Sequence, residues 1–412
     1  MCVTREESDF CVCVCRKTSA SQQQFEPTIV VWWDRNRTFA LMQKLRRALR
    51  AWRAIRRFPE VTRKGVATAF KITPAIRRVR NFGYNPGNLH MFKYMPARGL
   101  ADPALVVVLH GSGQTATSYA YGAGWMTLAD RCGFGLLLPQ QKRSNNPHRS
   151  FNWFLPRDAR RGRGEAASIA QMIKKMADEL RVGPERVFIT GLSAGGAMTS
   201  VMLACYPELF AAGAIIAGLP YGAASNLQEA FRSMLHCPSR SADKWGAELH
   251  AAADWYAGPW PRLSVWHGDA DKIVNPSNSR EILKQWTNVH GFSLRPTLHE
   301  IVGGHPREVW LDDDGVELIE SYTIRGMAHG AAIATGSGYG FGGPFLFDVG
   351  ISSSFLIAKF FGLMGRHYVA SDKQRAFIRR PNIGTKFPGR ILRRIDIAAA
   401  FRRIARPQAR RY

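Results

Sequence analysis

The pentapeptide Gly191-Leu192-Ser193-Ala194-Gly195, taken with its two flanks, constrains the fold more than any other segment of the chain. Before it runs Val187–Thr190, a short apolar stretch that reads as a strand, and after it Ala194–Tyr206, rich in small residues, reads as a helix. A tight strand-to-helix turn admits only small flanking residues, and it lifts the central serine hydroxyl clear of the sheet. The turn therefore asks for a layered α/β architecture. The surrounding sequence agrees: Leu105–Leu109, Gly135–Leu138, Ala212–Ala217, Leu263–Trp266 and Leu318–Ile324 predict further strands. Glu165–Leu180, Ser279–Val289 and Ser352–Phe361 predict further helices. Strands that are apolar throughout and alternate with helices predict a mostly parallel sheet with helices on both faces. In such sheets ligands bind at the carboxyl ends of the strands, so the turn after each strand is where chemistry is expected.

A serine hydroxyl is a poor nucleophile until a base takes its proton, and the base in turn needs an orienting carboxylate. Both are available downstream of Ser193, in the order nucleophile, acid, base. Leu263–Trp266 leads into His267-Gly268-Asp269-Ala270-Asp271. Asp271 lies deeper in that turn, just ahead of Ile273-Val274, and is the candidate acid; Asp269 is the alternative. Tyr322-Thr323-Ile324 leads into Gly326-Met327-Ala328-His329-Gly330, which puts the candidate base His329 in a glycine-flanked loop after the last strand. His290 and His305 have no such setting and are expected to be surface or loop residues. Acyl transfer also needs donors for the developing oxyanion. The N–H of Ala194, at a helix N-terminus, is one candidate, and the N–H of Ser112 in the turn His110-Gly111-Ser112-Gly113-Gln114 is the other, with Gly113 as its alternative. His110 is expected to brace this turn without transferring a proton. The constellation asks for no metal and no cofactor.

The charge says little about this site. The chain of 412 residues carries 57 Lys+Arg against 31 Asp+Glu, a net of +26, which invites nucleic-acid or membrane-surface readings. Residues 1–80 hold 18 basic and 6 acidic residues, and residues 366–412 hold 14 and 2, so each end carries +12 and residues 81–365 are left with +2. The expected organisation is a basic N-terminal extension over 1–80, an α/β catalytic domain over 81–365 and a basic C-terminal tail over 366–412. The N-terminal extension is expected to be partly disordered. Within it, Leu41, Leu45, Leu49, Trp52 and Ile55 recur at helical spacing among arginines and predict an amphipathic helix near 41–58. A weaker stripe recurs at Ile391, Ile395, Ala398 and Phe401. Such stripes either pack on the body or adhere to a granule or anionic surface. Nucleic acid is not expected as a partner, because no recognised motif accompanies the charge. Cys2, Cys11, Cys13 and Cys15 crowd the start while Cys132, Cys205 and Cys237 are scattered, and without a CxxC pair neither a disulfide framework nor a zinc site is expected. The apolar run Ala211–Leu219 ends at Pro220, too short for a transmembrane helix. The first residues lack the pattern of a signal peptide, which leaves the cytoplasm as an alternative compartment.

Residues from about Asn88 to Leu363 resemble the polyhydroxybutyrate-depolymerase family of α/β-hydrolase esterases, relatives of feruloyl and acetylxylan esterases. The resemblance is carried by Leu109-His110-Gly111 with Gln114, by Phe151-Asn152-Trp153-Phe154 followed by Arg161, Gly164-Glu165 and Ser168-Ile169-Ala170, and by Thr190 through Met198. His267-Gly268 with Asp271 and Val274, and Gly326 through Gly330, complete it. It implies an α/β-hydrolase fold, a Ser193–His329–Asp271 triad and hydrolysis of short-chain hydroxyalkanoate polyesters or oligomers. It also implies an extracellular location. A feruloyl- or acetylxylan-type carboxylesterase is the alternative within the same chemistry. A granule- or surface-binding protein with a vestigial hydrolase body is the alternative outside it. Many relatives carry cysteine where this chain has Ser112, and tryptophan-proline where it has Ala331-Ala332. No linker leads to a β-rich polymer-binding domain, which favours soluble esters or amorphous granules over crystalline polymer. Gln114 and Trp153 are the candidate pocket residues, with Trp125 a further aromatic that either lines the pocket or fills the core.

Overall fold

A computed structural model describes residues 76–96 and 103–364. The expected helix near 41–58, the C-terminal stripe, the cysteine-rich start and nearly all of both basic arms lie outside the described residues. The first elements are β1 (Ile76–Val79), β2 (His90–Tyr94), β3 (Leu105–Leu109), α1 (Ala116–Gly122), α2 (Trp125–Cys132) and β4 (Gly135–Gln140). Next come α3 (Gly164–Leu180), β5 (Val187–Leu192), α4 (Ala194–Cys205), β6 (Ala212–Ile216), α5 (Leu227–Leu235), α6 (Ala242–Ala252) and β7 (Arg262–Gly268). The chain continues through α7 (Ser277–Val289), β8 (Leu298–Val302), β9 (His305–Leu311), β10 (Glu317–Ile324), β11 (Ala331–Ile333), β12 (Leu346–Asp348) and α8 (Ser353–Phe360).

Ten strands form one sheet in the order β1-β2-β4-β3-β5-β6-β7-β10-β9-β8. From β4 to β10 all neighbours are parallel, and an antiparallel pair closes each edge. The central strands are buried at every position, because helices cover both faces. Leu105, Val107, Ile189, Ile215 and Val265 point into the core shared with α3, α4, α6 and α7. Alternate residues reach the other face, where Phe188 stacks on Phe361 at 4.8 Å just past α8. Helix α4 runs through the middle and is buried along its whole length, which explains its small and apolar composition.

Three expectations shift. The sheet begins at Ile76, inside the segment read as the N-terminal arm, because β1 is an edge strand whose Arg77 and Arg78 face solvent and mask its pattern. β4 runs through Pro139 to Gln140. Its pairing with β3 ends at Leu137, so the missing proline N–H deprives no partner there. The loop carrying His329 is followed by a second, two-stranded parallel sheet, β11 with β12, whose three-residue strands are too short to show periodicity. Of the two spare histidines, His290 lies in a turn as expected and His305 does not. His305 opens β9 and is buried, donating from Nε2 to the Val349 carbonyl, while His290, in the turn that caps α7, donates to the Pro261 carbonyl.

Candidate active site

The site forms where the carboxyl ends of β3, β5, β7 and β10 come together, as a parallel sheet requires. Ser193 sits at the sharp corner between β5 and α4 with φ 58° and ψ −116°, a left-handed backbone that side chains rarely adopt. Its flanks explain why this turn demands glycine. A Cβ on Gly191 would run into the Gly195 carbonyl, and one on Gly195 into the Leu109 and His110 carbonyls. The corner is pinned by the Ser193 N–H donating to Ile216 O at 2.8 Å.

Ser193, His329 and Asp271, which the sequence separates by as many as 136 positions, form one hydrogen-bonded chain. His329 Nε2 lies 2.8 Å from Ser193 Oγ, and His329 Nδ1 lies 2.7 Å from Asp271 Oδ2. Asp271 Oδ1 accepts from the N–H groups of Ile273 and Val274 at 2.8 and 2.9 Å. Burial pushes the Asp271 carboxyl up, but the donors from His267 and His329 outweigh it and hold it well below the usual carboxylate range. Asp269, the alternative acid, is exposed and instead accepts from the Gly326 N–H at 2.6 Å, anchoring the loop that carries His329. The sequence reading missed His267. Its Nε2 lies 3.1 Å from Asp271 Oδ2 and 3.0 Å from the Val274 carbonyl, so it steadies the same carboxylate oxygen that meets His329. The signal was present, since the same strand carries a histidine four residues before the acid.

The turn after β3 supplies the second half of the site. Gly113 N–H donates to His148 O at 2.7 Å and is thereby taken. The N–H groups of Ser112 and Ala194 have no partner among the described residues, and Ala194 starts a twelve-residue helix whose dipole favours negative charge at that end. His110 is fully buried and braces the turn: Nδ1 meets Gly111 O at 2.9 Å and Nε2 accepts from Gln141 N–H at 3.2 Å. Burial, assisted by the charge of Arg149, lowers its pKa to about 4, so it stays neutral. Gln114 lines the cleft, but its amide is engaged at both ends, accepting from Gly111 N–H at 2.8 Å and donating to Pro344 O at 3.0 Å.

The cleft has a volume of about 430 Å³, within the usual range for a small-molecule site. Ser112, Ser193 and His329 line it together with Leu192, Met234, Ile273 and Phe345. Trp153 does not line it; the indole packs edge-on against Phe154 at 5.5 Å within the core. Trp125 is likewise wholly buried. Ala331 and Ala332 are buried in β11, and the aromatic at the cleft is Phe345, edge-on to His329 at 5.9 Å and with a left-handed φ of 64°. Nothing in the sequence around Phe345 marked it. Among the described residues, no three His, Cys, Asp or Glu side chains gather as a metal site, and no helix is long and apolar enough to cross a membrane.

Comparison with known proteins identifies the family. The family profile described as Esterase PHB depolymerase matches residues 90–304, just over half of the chain. A poly(3-hydroxyalkanoate) depolymerase C of Paucimonas lemoignei is 43% identical over 294 residues, covering 71% of each chain. A feruloyl esterase B of Neurospora crassa is 33% identical over 279 residues, covering 64% of this chain and 91% of that one. Among solved structures, an acetyl xylan esterase from Aspergillus awamori superposes with a TM-score of 0.59 at 25% identity, covering 70% of this chain and 99% of that one. With a parallel sheet, a serine corner after β5 and this extent of likeness, the chain is a carboxylic ester hydrolase of the α/β-hydrolase fold and belongs to the Esterase PHB depolymerase family.

Proposed function

We propose that the protein is a serine esterase acting on short-chain hydroxyalkanoate esters, oligomers or polyester, with Ser193 as nucleophile, His329 as base and Asp271 as orienting acid. The observation that supports this most directly is the unbroken chain from Ser193 Oγ through His329 to Asp271, at 2.8 and 2.7 Å. His329 Nε2 takes the Ser193 proton as Oγ bonds to the ester carbonyl carbon. The carbonyl electron pair moves onto oxygen, where the N–H groups of Ala194 and Ser112 receive it; each such donor is worth roughly 3–4 kcal/mol in the transition state. Collapse breaks the bond to the alcohol oxygen, which leaves with the proton from His329. Water then attacks the acyl-serine, gives its proton to His329, and the acid departs as Ser193 Oγ regains a proton.

The purified protein should hydrolyse p-nitrophenyl butyrate, and Ser193→Ala should lose on the order of 10⁶ in kcat. Undiminished turnover by that variant would overturn the assignment. The higher identity to a poly(3-hydroxyalkanoate) depolymerase than to a feruloyl esterase favours hydroxyalkanoates as substrate. A feruloyl- or acetylxylan-type activity is the second reading, and faster turnover of hydroxycinnamate esters than of 3-hydroxybutyrate oligomers would establish it instead. The basic ends belong to the same proposal as contacts to a granule or anionic surface.

A further inference from the structure

The cleft beside Ser193 has two characters. Leu192, Met234, Ile273 and Phe345 supply an apolar wall, while Arg143 and Arg149 bring two positive charges and no Asp or Glu lines it. Neither guanidinium has a hydrogen-bonding or acidic partner among the described residues. Two unneutralised arginines in one cleft repel each other. Burial, and then the charge of Arg143, lowers the pKa of Arg149, as expected of two cations crowded together.

The frame beneath them is built, not loose. Arg149 has a left-handed φ of 52°, a conformation that persists only where surroundings enforce it. Here the Arg149 N–H donates to Asn146 O at 2.8 Å, Asn146 Oδ1 accepts from His148 N–H at 3.0 Å, and Asn146 Nδ2 donates to Asn152 Oδ1 at 3.1 Å. His148 O accepts from Gly113 N–H at 2.7 Å, tying the arginine segment to the turn that offers Ser112 N–H. A strained arginine held beside a nucleophile and lacking its counter-charge awaits an anion from the substrate.

We propose that Arg143 and Arg149 bind the free carboxylate of a short hydroxyalkanoate oligomer, so that the preferred substrate is a soluble acid-ended chain. This rests on the esterase reading above and narrows it. In a 3-hydroxyalkanoate dimer the leaving alcohol carries a carboxylate two carbons from the scissile oxygen. An ester in the interior of a polymer, or an acetyl group on a sugar, carries none there. Guanidinium groups match carboxylates in geometry and charge, and the apolar wall suits the short alkyl substituents.

The test compares 3-hydroxybutyrate dimer as free acid and as methyl ester, using the full-length protein and the double variant Arg143→Gln/Arg149→Gln. The native protein should favour the free acid in kcat/KM by about tenfold or more, as expected for hydrogen bonds to a charged group. That ratio should shrink as salt is raised, and it should fall toward one in the double variant through a higher KM for the free acid. Equal rates on acid and ester by the native protein, or a preference that survives in the double variant, would overturn the proposal. The salt dependence of the native ratio needs no variant, so a misfolded variant does not decide the matter. Turnover of p-nitrophenyl butyrate separates the two levels. A native protein that fails on it refutes the esterase reading, whereas one that hydrolyses it without preferring the free acid refutes only the carboxylate site.

Discussion

Asp271 receives donors on both oxygens, and only one of them is His329: Ile273 and Val274 N–H groups hold Oδ1 while His267 shares Oδ2. In the proposed mechanism this rigidity sets the tautomer and direction of His329. Asp271→Asn should lower kcat by about 10⁴ while leaving the fold in place. His267→Ala removes one hydrogen bond to a charge, worth about 1.5–3 kcal/mol, and should lower kcat roughly tenfold with little change in KM. A KM effect in place of the kcat effect would refute the positioning role. The folded-state pKa of Asp271 lies below the unfolded value near 3.9, so its ionised form stabilises the fold above that pH and the contribution is lost as pH falls toward the folded value. The stability gap between native protein and Asp271→Asn, measured by urea unfolding, should therefore narrow between pH 6 and pH 3. A gap that stays constant would mean that the carboxylate adds nothing through its charge. These residues were legible because each follows an apolar strand directly, and strand ends converge in a parallel sheet. Trp153 was not, since an aromatic in a sequence announces burial without saying which side it fills. Arg149 was hidden in a loop with no period, where only the folded hydrogen-bond frame gives it a direction.

At the level of elements, two buried ionisable side chains support the strands and loops of the site. Glu165, in the first turn of α3, accepts from Asn152 N–H, Asn152 Nδ2 and Gln141 Nε2, so it joins the end of β4 to the loop that carries Arg149. Burial raises its pKa to about 8 against these donors. A carboxyl raised in the folded state contributes stability that is full below its unfolded pKa and lost as pH rises through about 8. Glu165→Gln should be less stable than native at pH 5, and the difference should shrink as pH approaches 8.5, by up to about 1.4 kcal/mol per unit for one proton. A difference that stays constant from pH 5 to pH 8.5 would show that the carboxylate is ionised throughout. On the other edge Arg307, of β9, pairs with Glu300, Glu317 and the buried Glu320 of β10, the strand that leads to His329. Arg307→Met strands Glu320 and should lower unfolding free energy by about 3–5 kcal/mol, read by denaturant midpoint; a change under 1 kcal/mol would refute this. The elements themselves were largely readable, because apolar strands and helical stripes keep their periods wherever both faces are covered. Edge strands such as β1, and three-residue strands such as β11 and β12, carry too little pattern to be read.

For the molecule as a whole, the net charge of +26 and the proposed catalytic residues occupy different segments of the chain, +12 at each end against +2 over residues 81–365. The cleft adds a smaller, local cationic site of its own in Arg143 and Arg149. Salt should therefore separate three behaviours. Turnover of a small neutral ester involves neither cationic feature, and its kcat/KM should stay within about twofold between 0.05 and 0.5 M NaCl, since the proposed oxyanion donors are neutral N–H groups that mobile ions screen poorly. Turnover of the free-acid dimer should weaken moderately over the same range, because it draws on two charges in a partly buried cleft. Adsorption of the full chain to vesicles of mixed anionic and neutral lipid should fall most steeply, because each basic residue near such a surface adds about 1 kcal/mol at low salt and loses it over a Debye length that shrinks to about 3 Å at 1 M. Binding that persists at high salt and extends to wholly neutral vesicles would assign adhesion to the apolar stripes instead. Loss of neutral-ester turnover in parallel with adsorption would show that the basic ends take part in catalysis, contrary to the separation that the charge distribution implies.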